Sequence, residues 1–363
     1  MGLSKTFLDP ISETKPGKNN LITDVPGITV GHQTLKDDRL QTGVTVISPS
    51  EDNIFKQKMP AAVHVINGFG KSMGLVQVEE LGTLETPIVL TNTLSAGTAY
   101  TTVVKKMLAE NHDIGTDTGT VNPVILECND GVINHIRDLG ISEADVKQAF
   151  EKANTIFEEG AVGGGTGMCC YDLKGGIGSS SRQIAIDGTT YTMGALVMAN
   201  YGFMQDLSIY DVTIGPRLKK WQEKEKHKEN GSIVTVIATD IPFDTRQLKR
   251  IAKRSSVGIN RTGAFGGNGS GEITVAFSTA NRIAHYPENE IDRQQRITDE
   301  FIDRYFRMTT AVVEEAVLSC LVHAQTTDDR KGQKVWSLKD ALQHLQKEQY
   351  DEKVAWLQEK LGI

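Results

Sequence analysis

Cysteine is scarce: four in 363 residues, Cys128, Cys169, Cys170 and Cys320, none in a C-x-x-C pair or a Cys/His ligand spacing. That excludes a disulfide-stapled secreted scaffold and a zinc ribbon, and makes a reduced compartment, the cytoplasm, the expectation. Histidine is equally unhelpful: eight are present, with no H-E-x-x-H and no clustered His/Asp set, so no metal is expected. No apolar run approaches the roughly 20 residues a spanning helix needs, and MGLSKTFLDPISETKPGKNN carries no apolar core of a signal peptide. Basic excess is missing too. The formal net charge is −7, which gives no global footprint for nucleic acid or an anionic membrane, so neither is expected as a partner.

What is present is the composition of a globular protein, 39% hydrophobic and 23% charged, long enough for one large core or two ordinary ones. Residues 1–20 read as a polar arm on the surface or on a partner subunit. Apolar runs at 43–47, 61–66, 88–93, 123–128, 191–200, 233–238 and 272–278 read as strands. Helical spacing predicts helices over 76–81, 97–111 and 142–157, the last opened by Ser142 with Asp145 as a capping box and carrying Val146, Ala149, Phe150, Ala153 and Ile156 inward. Further helices are predicted from Pro242 to Ser256, from Asp299 to Ala324 with Phe301 and Phe306 inward, and from Ser337 to Leu361. The mixed-charge run 217–232 is the best internal hinge. Glycine-rich loops at 160–167 and 174–178 match no phosphate-binding pattern, and close backbone packing is their expected meaning.

The chain turns on Ile259 to Asn281, INRTGAFGGNGSGEITVAFSTAN. A glycine-rich bend ends in Gly269-Ser270-Gly271 and runs straight into an alternating strand. Such a bend is either an ordinary solvated turn or a device that holds one hydroxyl in an exposed, strained position. A serine nucleophile normally needs a histidine base, yet no histidine stands in a recognisable setting and there is no G-x-S-x-G elbow. One solution is the nucleophile's own amine. Cutting the Gly269–Ser270 bond by an N→O acyl shift would free an α-amino group with a pKa of about 8, suited to take the hydroxyl proton.

GNGSGEITVAFSTAN, with EGAVGGGTGM, LKGGIGSSSR, LVMANYG, LITDVPGITVGH and TGVTVI, resembles the L-aminopeptidase/D-esterase and β-peptidyl aminopeptidase family, with nylon-oligomer hydrolases more distantly similar. The resemblance runs from about Leu21 to Leu321. It implies an α+β fold, a four-layer αββα sandwich resembling the N-terminal-nucleophile hydrolases with different connectivity. It also implies a precursor that cleaves itself into an α chain, 1–269, and a β chain starting at Ser270, and an assembly of such αβ heterodimers into a homo-oligomer. The catalytic domain would span 21–330 and a charged C-terminal helix 331–363.

The same resemblance assigns residues. Asn200 corresponds to the oxyanion-binding asparagine and Glu127 to the glutamate that holds the substrate's free amine. Asn129 stands where the family has an oxyanion-assisting tyrosine. An amide N–H can still donate, but it reaches less far than a phenol, so a rebuilt pocket is expected. The family's acid in the β-chain helix falls on Glu314. Its companion hydroxyl position is Val312, with Thr310 one turn earlier as a substitute. Lys174 is either a neighbour of the nucleophile or a surface lysine.

Together these imply a serine aminopeptidase that needs no metal or organic cofactor and acts on short peptides, amides or esters. The alternatives are a non-catalytic binding member of the same fold, and an amidase of ω-amino acid oligomers.

Overall fold

The computed structural model describes residues 13–222, 231–348 and 351–363. The principal strands, in chain order, are β1 (Thr29–Lys36), β2 (Gln41–Ser48), β3 (Gln57–Gly68), β4 (Ile88–Asn92), β5 (Val124–Cys128), β6 (Gly176–Ile186), β7 (Thr189–Asn200), β8 (Ser232–Thr239) and β9 (Gly271–Ser278). They form a small sheet, β1-β2-β4-β5, and a large one, β6-β7-β8-β9-β3. Thr14–Pro16 adds a short edge to β6, and Ile283–Ala284 and Thr83–Leu84 lie along β3. Pairing is antiparallel except for β8–β9 and β4–β5.

The central strands look almost continuously apolar because both of their faces are covered. In β7, Ala195, Val197 and Ala199 enter one core, while Leu196 and Met198 enter the other. β8 divides in the same way, Ile233 and Ile237 against Val234, Val236 and Ala238. The second core fills the space between the two sheets. Helices α1 (Ala96–Glu110) and α2 (Glu143–Glu151) close the outer face of the small sheet; α3 (Thr245–Arg261) and α4 (Ile302–His323) close that of the large one. The order helix, sheet, sheet, helix is the αββα sandwich. Helices α5 (Leu338–Glu348) and α6 (Glu352–Leu361) bury Leu338, Leu342, Val354 and Leu357 in the core beneath α3 and α4.

Several helix boundaries differ from the periodicity reading, each for a local reason. The Ser142–Asp145 capping box forms, but α2 stops at Glu151 because the backbones of Asn154 and Val30 pair at 3.0 Å in both directions, leaving Ile156 exposed. Helix α3 begins after Asp244, whose carboxylate accepts from the N–H of Gln247, rather than at Pro242. Phe301 falls in a 3₁₀ turn ahead of α4 and is exposed, while Phe306 is buried. The single C-terminal helix is two, the second capped by Asp351, which accepts from the N–H groups of Lys353 and Val354. The charged run expected as a hinge is helical over Gly215–Gln222, and its residues 223–230 lie outside the described ones, as do residues 1–12 of the arm.

Buried polar contacts tie α4 to the large sheet. Arg182 of β6 pairs with Glu315 of α4, and Asn20 donates to the same carboxylate at 2.6 Å. Nearby, Glu159 accepts from the Ser179 N–H and the Ser319 hydroxyl, both at 2.6 Å, with His323 Nδ1 at 3.7 Å. Burial pushes the Glu159 carboxyl up from 4.5 to about 7. Between those two values the folded chain holds a proton that the unfolded chain has released, so stability falls as pH rises across the window, by about 3 kcal/mol. Glu159→Gln, neutral throughout, is expected to remove that fall. Thermal melts of both chains from pH 4 to 8 check it: the wild-type Tm should drop relative to the variant's as pH rises.

Candidate active site

One row of residues crosses the large sheet at a single end: Asn200 closes β7, Ser232 opens β8, Gly271 opens β9 and Gly68 closes β3, each paired in register with the next. Ser270 immediately precedes this row. The loop that delivers it from α3 is bent by glycines with positive φ at Gly263 and Gly266. At Gly263 a Cβ would fall 1.8 Å from the carbonyl oxygen of Asp206, so only glycine fits. Asn67, at the end of β3, holds the loop: its amide donates to the carbonyl of Gly267 at 3.0 Å and to that of Ser270. Ser270 N–H donates back to Gly267 at 2.9 Å, and Gly271 N–H to the Ser232 hydroxyl at 3.2 Å.

Ser270 is therefore not an exposed, strained residue; it is wholly buried, and the strain-tolerant glycines lie earlier in the loop. The chain at Phe69–Gly70 packs against the residue that follows Ser270: a Cβ on Gly271 would sit 3.0 Å from both Gly70 Cα and the Phe69 carbonyl oxygen. The Ser270 hydroxyl donates to Glu272 Oε1 at 3.0 Å, and Glu272 is itself buried. Sequence reasoning missed Glu272. The signal was there in Ser-Gly-Glu, because residues two apart at a strand's entry put their side chains on one face.

Glu127 is the last residue but one of β5 in the other sheet, opposite Thr91 of β4. Its carboxylate is buried and fixed at both oxygens: Lys71 N–H donates to Oε1 at 2.6 Å, and the Thr93 hydroxyl donates to Oε2. Gly70 lies between the two halves of the site. A Cβ there would stand 3.6 Å from Glu127 Oε1 and 3.8 Å from Gly271 Cα. A carboxylate held this way, beside the residue that follows Ser270, suits a cationic group of the size of an ammonium.

Asn200 has its Oδ1 fixed by the Cys169 N–H at 2.8 Å, which leaves the amide nitrogen as the outward donor; it meets the Asn129 carbonyl at 2.9 Å. The Asn129 side chain is exposed and its Oδ1 accepts from Gly131 N–H at 2.9 Å, so its backbone rather than its amide touches Asn200. Beyond Asn200 opens a cleft of about 510 Å³ bordered by Val132, Cys169, Phe203 and Gln205, where the Phe203 ring stacks on Phe265 of the serine's own loop at 5.8 Å.

Glu314 lies on α4 against the end of α3, paired with Arg261 at 3.1 Å; burial pushes its carboxyl up, and the guanidinium opposes that. Thr310 turns its hydroxyl along the helix to the Phe306 carbonyl at 3.0 Å, and Val312 is buried in the core. Lys174 is wholly buried, which removes the surface alternative. Its ammonium donates to the carbonyls of Gly165, Met168 and Gly175 at 3.2, 2.8 and 2.8 Å, and burial lowers it to about 8. The glycine-rich loops thus serve close packing, as their sequence suggests. The structure gathers Ser270, Glu272, Glu127, Asn200 and the Asn129 backbone at one end of the sandwich. Among the described residues no group of three metal-ligating side chains converges.

The mixed α+β sandwich is the fold of an Ntn-hydrolase-like aminopeptidase. Residues 20–335 match peptidase family S58, and the chain belongs to that family. It is 33% identical to the β-peptidyl aminopeptidase BapA of Sphingosinicella microcystinivorans, over 90% of this chain and 87% of that one. A solved protein of Pyrococcus horikoshii superimposes with a TM-score of 0.88 at 46% identity, covering 94% of this chain and 98% of its own. The L-aminopeptidase D-Ala-esterase/amidase of Ochrobactrum anthropi, described as a prototype of the serine aminopeptidases and a new variant of the Ntn-hydrolase fold, superimposes with a TM-score of 0.84. It is 34% identical, over 93% and 96% of the two chains. The chain is accordingly a hydrolase of an aminopeptidase family.

Proposed function

We propose that the chain cuts itself between Gly269 and Ser270 and then works as an aminopeptidase with Ser270 as nucleophile. The observation that carries this is the placement of Ser270 at the entry of a central strand, its loop pinned by Asn67 and its hydroxyl hydrogen-bonded to a carboxylate rather than an imidazole. After the cut, the α-amine of Ser270 takes the hydroxyl proton as the oxygen attacks the scissile carbonyl. The Asn200 amide, held in orientation by Cys169, donates to the oxyanion in place of the Asn129 carbonyl. Glu127 binds the substrate's ammonium, and the leaving group extends past Asn200 into the cleft beside Phe203. Water then releases the acyl group from Ser270.

The substrates this arrangement takes are short peptides, amides or esters with a free amine, β- and D-amino acid derivatives among them, with no metal or organic cofactor. Glu314 and Lys174 support the site from the helix and loop around it. We place the protein in the cytoplasm as a homo-oligomer of cleaved αβ units, with no nucleic acid or membrane partner. Among the described residues no helix is long and apolar enough to cross a membrane.

Turnover of a panel of L-, D- and β-aminoacyl p-nitroanilides tests the reading. Asn200→Ala is expected to lower kcat about 100- to 1,000-fold with little change in KM, the usual loss on deleting an oxyanion donor. A wild-type chain inert to the whole panel would favour a binding protein on the same fold, and kcat unchanged in the variant would remove Asn200 from the chemistry.

A further inference from the structure

We propose that Glu272 is the base of the self-cleavage step: a buried carboxylate 3.0 Å from the Ser270 hydroxyl takes its proton before any free α-amine exists. The inference rests on the self-cleavage reading and supplies what that reading lacks. In the uncut chain the nitrogen of Ser270 is an amide, which cannot act as a base, so the first attack needs another acceptor.

Three observations favour Glu272. It makes the hydrogen bond that orients the hydroxyl. Its position is rigid, because β9 is paired on both sides, with β8 and with β3, and Thr274, next on the same face, is tied to Ser255 of α3 at 2.6 Å. Glu314 of α4 is paired with Arg261, and Glu315 of the same helix with Arg182. The surroundings also leave room: Gly266 passes so that a Cβ there would still be 3.6 Å from Glu272 Oε2.

The step balances as follows. The Ser270 Oγ–H proton passes to Glu272 as Oγ bonds to the Gly269 carbonyl carbon. The Gly269 C–Ser270 N bond then breaks, and the carboxyl returns the proton to the leaving nitrogen. One water hydrolyses the resulting ester, giving the Gly269 carboxylate, the free Ser270 hydroxyl and the new α-amine.

The test follows full-length chains made by cell-free synthesis, chased after translation is stopped and scored on denaturing gels. Wild type is expected to convert to two fragments, and Glu272→Gln to convert about 100-fold more slowly or worse, the usual weight of a general base. Glu272→Asp, which keeps a carboxylate but draws it back, should fall between them. Hydroxylamine, which cleaves an ester but not an amide, should not speed the Gln chain. The proposal is overturned if Glu272→Gln converts at the wild-type rate, if Asp is no faster than Gln, or if hydroxylamine restores the Gln chain, which would place Glu272 after the acyl shift. If the Gln chain fails to fold by its melting curve, the wild type decides. Its rate should rise with pH and level off, whereas a continued rise from pH 5 to 9 would mean hydroxide is the base. A wild-type chain that never converts fails differently, because it overturns self-cleavage itself and not the choice of base.

Discussion

Ser270→Ala will leave the chain in one piece and bring peptide hydrolysis down by a factor on the order of a million, the loss seen when a serine hydrolase is stripped of its nucleophile. Both effects come from one atom. The hydroxyl sits at the proposed cleavage point, 3.0 Å from Glu272, and no other described side chain enters the row formed by Asn200, Ser232 and Gly271 with a nucleophilic group so aligned, since the Ser232 hydroxyl already accepts the Gly271 N–H. The substitution removes only an oxygen from a buried position whose loop is held by Asn67 and Gly267, so the fold should persist. Denaturing gels and single-turnover assays read the two losses separately. Processing without activity, or activity without processing, would split the roles assigned here to a single residue.

Glu127→Gln carries the second large expected effect. The amide keeps the size of the side chain and can accept from Lys71 N–H, but it offers a substrate ammonium no charge. Breaking a buried, hydrogen-bonded charge pair from one side costs about 2–5 kcal/mol, a loss of roughly 30- to 5,000-fold in kcat/KM. The loss should fall on substrates with a free amine and spare N-acylated analogues, so the preference between the two classes collapses. Self-cleavage should proceed at the wild-type rate, because the uncut chain presents no amine to Glu127. Kinetics on a paired set of free and acetylated substrates, with a processing gel beside them, measure all three. Equal losses on both substrate classes would make Glu127 a structural residue.

Much of the sandwich was legible because strands covered on both faces must be apolar at consecutive positions, and segments such as Ala195 to Ala199 and Ile233 to Ala238 are. Helix ends were less legible. Asp244, Asn154 and Asp351 set them through hydrogen bonds to particular N–H and C=O groups, which a periodicity of apolar residues does not encode.

Ser270 stood out as a candidate from the glycine pattern and the family motifs, but its burial did not. The Phe69–Gly70 backbone that packs against the neighbouring Gly271 follows β3, the strand beside β9 in the sheet, about 200 residues earlier in the chain. Glu272 was overlooked inside a strand that read simply as core. Lys174 appeared as either a site residue or a surface charge, whereas three loop carbonyls make room for it in the interior. Local pattern located the segments proposed to carry the chemistry; the contacts between sheets decided which side chains meet.

The most direct measurement is N-terminal sequencing of every polypeptide in the purified wild-type protein, supported by intact mass. The account predicts two chains, one beginning at the natural start and one whose first residue is Ser270. A single uncut chain that still hydrolyses aminoacyl substrates, or a second chain that begins anywhere else, would contradict it.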